Sequence, residues 1–144
     1  QPVRVVADSR ARTPPDARVL DDAAETVVLV SEAVPTEHVS SLSSAGASII
    51  EAGTSRVDLE AALEELADRG IDTLLVEGGG DLIFSLFEAD LVDELSVYIG
   101  SLLIGGRDAP TLADGAGFTD AYPPLELNSV RRVGDGVLLE YETA

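Results

Sequence analysis

The stretch from Ile71 to Phe87 restricts the fold most. Ile71-Asp72-Thr73-Leu74-Leu75-Val76 is an apolar run rich in branched residues, and it stops at Glu77. Gly78-Gly79-Gly80 follows, then Asp81 leads a segment with Leu82, Ile83, Leu86 and Phe87 at helical spacing. The pattern predicts a buried strand, a turn of bare backbone and a helix with Asp81 as its N-cap. Glycine permits positive φ and lets another molecule approach the main chain without meeting a Cβ. The free N–H groups at the start of the helix would form an anion site, most naturally for a phosphate. A plain tight turn uses the same glycines, so spacing alone leaves both readings open. The glutamate at the strand's end favours a ligand, because ligands of open α/β sheets bind beyond the carboxyl ends of strands.

The flanking segments alternate in the same way. Val3–Ala7 reads as a first strand, running into a polar loop over Asp8-Ser9-Arg10-Ala11-Arg12 and the pair Pro14-Pro15. Thr26–Val30 reads as a second, buried strand. Pro35 opens a weakly amphipathic helix with Val39 and Leu42 as apolar positions and Gly46 as its stop. Ala47–Ile50 is a third strand, with Gly53 just beyond it. Asp58 caps a helix with Leu59, Leu63 and Leu66 on one face, ending at Gly70. After the glycine turn come a strand over Glu94–Ile99, the apolar triplet Leu102-Leu103-Ile104 and a loop from Gly105 to Pro110. The runs Leu125–Val133 and Val137–Tyr141, joined by Gly134-Asp135-Gly136, read as a β-hairpin. Strands alternating with helices imply an α/β fold with a mainly parallel sheet, to which the hairpin adds antiparallel strands. No linker or repeat interrupts 1–144, so a single domain is expected.

Charge narrows the function. Lys+Arg 9 against Asp+Glu 27 gives a net charge of −18, and every basic residue is an arginine. Excess carboxylate without lysine suits a cytoplasmic protein from a high-salt interior, where screening shortens the Debye length to about 3 Å at 1 M. The balance argues against a nucleic-acid partner, since no basic stripe exists. No run is long and apolar enough to span a bilayer, so no membrane partner is expected. With no cysteine and only His38 as histidine, thiolate chemistry and multi-histidine metal sites are excluded. The chain has no methionine and opens on Gln1-Pro2, which suggests that it begins inside a longer protein.

Glu77 is the one carboxylate placed at a strand end directly against a glycine turn, where it could accept hydrogen bonds from a ligand or from the turn itself. Arg10 and Arg12 offer forked donors suited to phosphate, though pairing with surface carboxylates is the plainer alternative. His38 lies in a polar helix, and Asp90, Asp93 and Glu94 read as a solvated acidic surface. No Ser-His-Asp set, carboxylate pair or metal cluster can be assembled. Chemistry carried by a cofactor, with hydride transfer the obvious case, fits that absence.

Several patterns then agree in order: Val3-Arg4-Val5-Val6-Ala7-Asp8-Ser9 with Arg12 and Pro14; Ala17-Arg18-Val19-Leu20; Gly53 with Val57-Asp58-Leu59; and Val76-Glu77-Gly78-Gly79-Gly80. They continue with Leu91-Val92-Asp93-Glu94, Val97-Tyr98-Ile99, Gly105-Gly106, and Ala109-Pro110-Thr111-Leu112 with Asp114, Gly115 and Gly117. Taken together, the set resembles the riboflavin-biosynthesis reductase family, which includes archaeal diaminohydroxyphosphoribosylaminopyrimidine-type reductases and the C-terminal domain of bacterial bifunctional deaminase-reductases. The resemblance implies a dihydrofolate-reductase-like fold: three layers, a mainly parallel sheet with helices on both faces, and a C-terminal antiparallel hairpin. It also implies a homodimer, NADPH as hydride donor and a ribosylaminopyrimidine 5′-phosphate as substrate, its ribose reduced to a ribityl chain. Carried over by position, Asp8, Ser9, Arg10, Gly53, Gly78, Gly79, Gly80, Asp81 and Leu82 would hold the cofactor, and Glu77 would touch the substrate. No catalytic proton donor is assigned, and no metal is implied. The chain departs from the family at its front, where an Ala-Asp-Gly-Lys-like loop and a Gly-x-Gly-Thr segment are missing, so the N-terminal elements of the domain are expected to lie outside it. A non-catalytic nucleotide-binding or assembly domain of the same fold, and a dihydrofolate-reductase-type enzyme, are the alternative readings.

Overall fold

The computed structural model describes residues 1–106 and 108–144; Arg107, in the expected loop from Gly105 to Pro110, lies outside the described residues. The chain divides into two compact units, Gln1–Leu74 and Leu75–Ala144.

The first unit is built on a parallel three-stranded sheet in the order β1 (Arg4–Ala7), β2 (Thr26–Val30), β3 (Ser48–Glu51). Every residue of β2 is buried, as a central strand covered on both faces requires. Because side chains alternate across a strand, β2 feeds two separate clusters. Val27 and Leu29 pack with Ile50, Ala52 and with Ala62 and Leu66 of α2 (Leu59–Asp68). Val28 and Val30 pack with Ala11, Ala47 and with Leu42 of α1 (Thr36–Ser44). Helices on opposite faces of a parallel sheet are the three layers anticipated from the sequence. The Asp58 side chain accepts a hydrogen bond from the Ala61 N–H at 3.2 Å and caps α2 as expected. Arg4 closes the amino end of the sheet. Its guanidinium donates to the Asp21 carboxylate at 2.8 Å, the Asp21 carbonyl at 2.6 Å and the Ala24 carbonyl. A 3-10 turn, Arg18–Leu20, lies in this region.

The second unit holds α3 (Gly80–Glu88) and an antiparallel sheet in the order β4 (Glu94–Ile99), β6 (Gly136–Thr143), β5 (Leu125–Val133). The hairpin falls where the sequence placed it, and its partner strand is β4. Register puts Leu95, Val97 and Ile99 opposite Tyr141, Leu139 and Val137, so one face is apolar; Glu94, Ser96, Glu140 and Glu142, with the pair Tyr98 and Leu138, line the other. The apolar face stays open at Ile99, Leu127 and Val130, and Leu102, Leu103 and Ile104 are also exposed.

Two expectations are corrected. Ile71–Glu77 is not a buried strand: it joins no ladder among the described residues, and Leu75 is 81% exposed. Branched apolar residues give a segment the propensity for a strand, but a strand exists only where a neighbour offers its backbone groups. Asp81 is not the cap of α3 either. Gly79 takes that position at φ +85°, without any side-chain cap bond, and Asp81 stands exposed in the first turn. A carboxylate there still interacts favourably with the helix dipole.

Candidate functional site

In the first unit, the loops leaving the carboxyl ends of all three parallel strands are sewn together. Ser31 Oγ donates to the Ser9 carbonyl at 2.8 Å, and the Val57 N–H donates to Ser9 Oγ at 3.0 Å. The Glu32 N–H donates to the Gly53 carbonyl at 2.9 Å, and the Ala33 N–H to the Thr54 carbonyl at 3.0 Å. Gly53 itself has φ +81°, and a Cβ there would overlap the Arg56 carbonyl and lie 2.7 Å from the Asp58 nitrogen. Only glycine fits that turn.

Asp8 is buried and spends its carboxylate on its own loop. Oδ2 accepts from the Thr13 N–H and the Thr13 hydroxyl, both at 2.7 Å, and Oδ1 from the Arg10 N–H at 3.4 Å. Burial by itself pushes this carboxyl up. The Thr13 hydroxyl and the backbone N–H groups of Arg12, Thr13 and Arg10 outweigh it and hold the pKa below the ordinary aspartate value. Ala11 is buried against Val28, Val30 and Leu42 at φ +49°, a left-handed conformation rare for a residue with a Cβ. With its methyl turned into the core, the flanking Arg10 and Arg12 are both exposed. Arg12 Nε lies 3.9 Å from Asp8 Oδ1, and Arg10 makes no ion pair or side-chain hydrogen bond among the described residues. Arg56, on the loop after β3, is likewise exposed and unpaired among them. In a chain of charge −18, guanidinium groups on mutually bonded loops at strand carboxyl ends make an anion-compatible surface.

In the second unit, the glycine turn has two characters. A Cβ on Gly78 would meet nothing within 4 Å, and one on Gly79 only Leu82 Cβ at 3.6 Å. Gly80 is different: a Cβ there would overlap the Asp114 carboxylate. The backbone of Gly78 and Gly79 is thus open to a ligand, whereas Gly80 makes room for the protein's own side chain. Because the first turn of a helix has unpaired N–H groups and α3 lacks a side-chain cap, the open backbone suits a diphosphate. The cradle fits such a group. Glu77 stands exposed before the turn and makes no hydrogen bond among the described residues, leaving its carboxylate free for a ligand. Leu82 is half-buried in the first turn of α3, and His38 is exposed on α1.

Sequence reasoning missed Arg56, Thr111 and Asp114 as neighbours of these features. The Asp114-Gly115 pair was visible in the sequence; that it returns to the glycine turn was not, since nothing local encodes a contact between distant segments.

A 2,5-diamino-6-ribosylamino-4(3H)-pyrimidinone 5′-phosphate reductase of Methanothermobacter thermautotrophicus is 47% identical over 142 residues, covering 97% of this chain and 65% of that protein. The protein of the same name from Archaeoglobus fulgidus is 44% identical over 135 residues, covering 94% of this chain and 60% of that one. The chain thus spans less than two thirds of the length of either relative. Among solved structures, a pyrimidine reductase-like protein from Corynebacterium diphtheriae shares the fold, with a TM-score of 0.79 at 16% identity over 97% of this chain and 60% of that one. The dihydrofolate-reductase-like architecture expected from the sequence is therefore the right class. With residues 1–139 matched by the profile of the RibD C-terminal domain, this chain belongs to that family.

Proposed function

We propose that the chain is the reductase part of a riboflavin-biosynthesis enzyme. It would take hydride from NADPH and convert the ribosyl group of a ribosylaminopyrimidine 5′-phosphate into a ribityl chain. The observation that carries this reading is the open backbone of Gly78 and Gly79 ahead of an uncapped helix, supported by the names of the archaeal relatives. NADPH, when bound, supplies the hydride. The chain's own part is to bind and orient. The Gly78 and Gly79 backbone receives the diphosphate, and the N–H groups of Gly80, Asp81 and Leu82 provide the helix's positive end. In the first unit, Arg10 and Arg12 offer forked donors to the phosphate that distinguishes NADPH from NADH; Arg56 and Ser9 belong to the same loops. Asp8 and Gly53 act through the backbone they hold. The Glu77 carboxylate accepts from a hydroxyl or amine of the substrate. The same reading places the enzyme in the cytoplasm as a homodimer, which sedimentation velocity tests: a mass of one chain contradicts it.

Binding measured by NADPH fluorescence tests the proposal. Arg10→Ala with Arg12→Ala is expected to weaken NADPH at least tenfold and NADH little; equal losses would remove the arginines from the site. Glu77→Ala is expected to raise the substrate KM well above tenfold with the NADPH Kd within a factor of about two. Parallel losses in both would make Glu77 a structural residue.

A further inference from the structure

We propose that Asp114 sets the charge selectivity of the glycine turn, admitting an esterified diphosphate bridge and disfavouring a terminal phosphate. The inference rests on the reading of that turn as a diphosphate cradle, and it adds a specificity residue to it. The Asp114 carboxylate fills the space a Cβ at Gly80 would need, its Cγ lying 2.5 Å from that position. Two bonds hold it there: the Asp114 N–H donates to the Gly80 carbonyl at 3.1 Å, and the Thr111 hydroxyl bonds Asp114 Oδ1. The next residue locks the loop onto α3. Gly115 has φ +76°, and a Cβ on it would lie 2.5 Å from the Phe84 ring, which packs on Phe118 with centroids 4.8 Å apart. Asp114 makes no ion pair among the described residues.

An anion on Gly78 and Gly79 therefore meets the favourable field of the helix N-terminus and, beside it, the held carboxylate of Asp114, in addition to the exposed carboxylates of Glu77 and Asp81. Each phosphorus of an esterified diphosphate carries about one charge, while a terminal phosphate carries about 1.5–2 at neutral pH. At a separation of about 5 Å in an aqueous dielectric, one additional unit of charge corresponds to about a three- to fivefold loss of affinity. Neither of the two bonds holding Asp114 requires its charge, so asparagine retains the geometry.

The test is displacement of NADPH fluorescence by 2′-phospho-ADP-ribose and by 2′-phospho-ADP, which differ in whether the outer phosphate is esterified. It is run on the chain and on Asp114→Asn, at the lowest salt that preserves the native circular-dichroism spectrum. Asp114→Asn is expected to tighten both probes, and to tighten 2′-phospho-ADP about two- to fourfold more than 2′-phospho-ADP-ribose, the difference disappearing near 1 M salt where the Debye length is about 3 Å. An equal effect on both ligands, or none, overturns the proposal. If Asp114→Asn does not fold, the unsubstituted chain decides: its preference for the esterified ligand must shrink as salt rises, and a constant ratio overturns the proposal. A chain that binds NADPH without this selectivity defeats only the role of Asp114. A chain that binds neither NADPH nor either probe defeats the dinucleotide reading, and this inference with it.

Discussion

At the residue scale, the glycines that look alike in sequence do different work. Gly78 is free of the left-handed region and has open space around it, Gly79 is left-handed, and Gly80 is filled by Asp114. Substitution at Gly79 would mix backbone strain with any ligand effect, so Gly78 is the cleaner probe of what approaches the turn. Asp8 separates in the same way from its neighbour Arg10: the structure spends the Asp8 carboxylate on its own loop and leaves the Arg10 side chain exposed. Asp8→Asn is expected to cost about 1–3 kcal/mol of stability at neutral pH, the scale of hydrogen bonds to a charged group. Because the folded pKa of Asp8 is depressed, that contribution is complete above the ordinary aspartate range and is lost as pH falls through the folded value. Chemical denaturation at pH 7 and at pH 3 checks this. The gap between the two proteins should narrow in acid, and a constant gap would contradict the assignment.

At the element scale, legibility followed pairing. β2 could be read residue by residue because all of Thr26–Val30 is buried between two helices, a situation that forces an unbroken apolar run. β4 and the hairpin fall where the sequence predicts them, their alternation giving one apolar face and one that is mostly polar. Ile71–Val76 carries the same residue types and joins no ladder among the described residues, because composition encodes burial and not the presence of a partner strand. The contact of the Thr111–Phe118 loop with α3 was illegible for a related reason, its partners being far apart in sequence. Two substitutions test the packing. Leu42→Ala, deep in the cluster under α1, is expected to cost about 2–5 kcal/mol in urea denaturation. A loss below 1 kcal/mol would mean that α1 is not held by this cluster. Gly53→Ala combines a left-handed φ with overlap on the Arg56 carbonyl and is expected to cost about 1–3 kcal/mol; a neutral result would show that the loop after β3 can rearrange.

At the scale of the whole molecule, charge and function make separate demands. A net −18 with Arg as the sole basic residue predicts self-repulsion that salt relieves, so the melting temperature should rise steadily with potassium chloride toward 1 M. A flat response would remove the high-salt reading. The single-domain expectation predicts one calorimetric transition over both compact units, and two resolved transitions would divide the chain near residue 74. The central claim is narrower: the open backbone ahead of α3 receives the diphosphate of a nicotinamide dinucleotide. The most direct test is a fluorescence titration of NADPH into Gly78→Val beside the unsubstituted chain. Since a Cβ at Gly78 meets nothing within 4 Å, the variant should keep its native circular-dichroism spectrum and lose NADPH affinity by about a hundredfold or more. A folded Gly78→Val that binds NADPH as tightly as the unsubstituted chain would contradict the account.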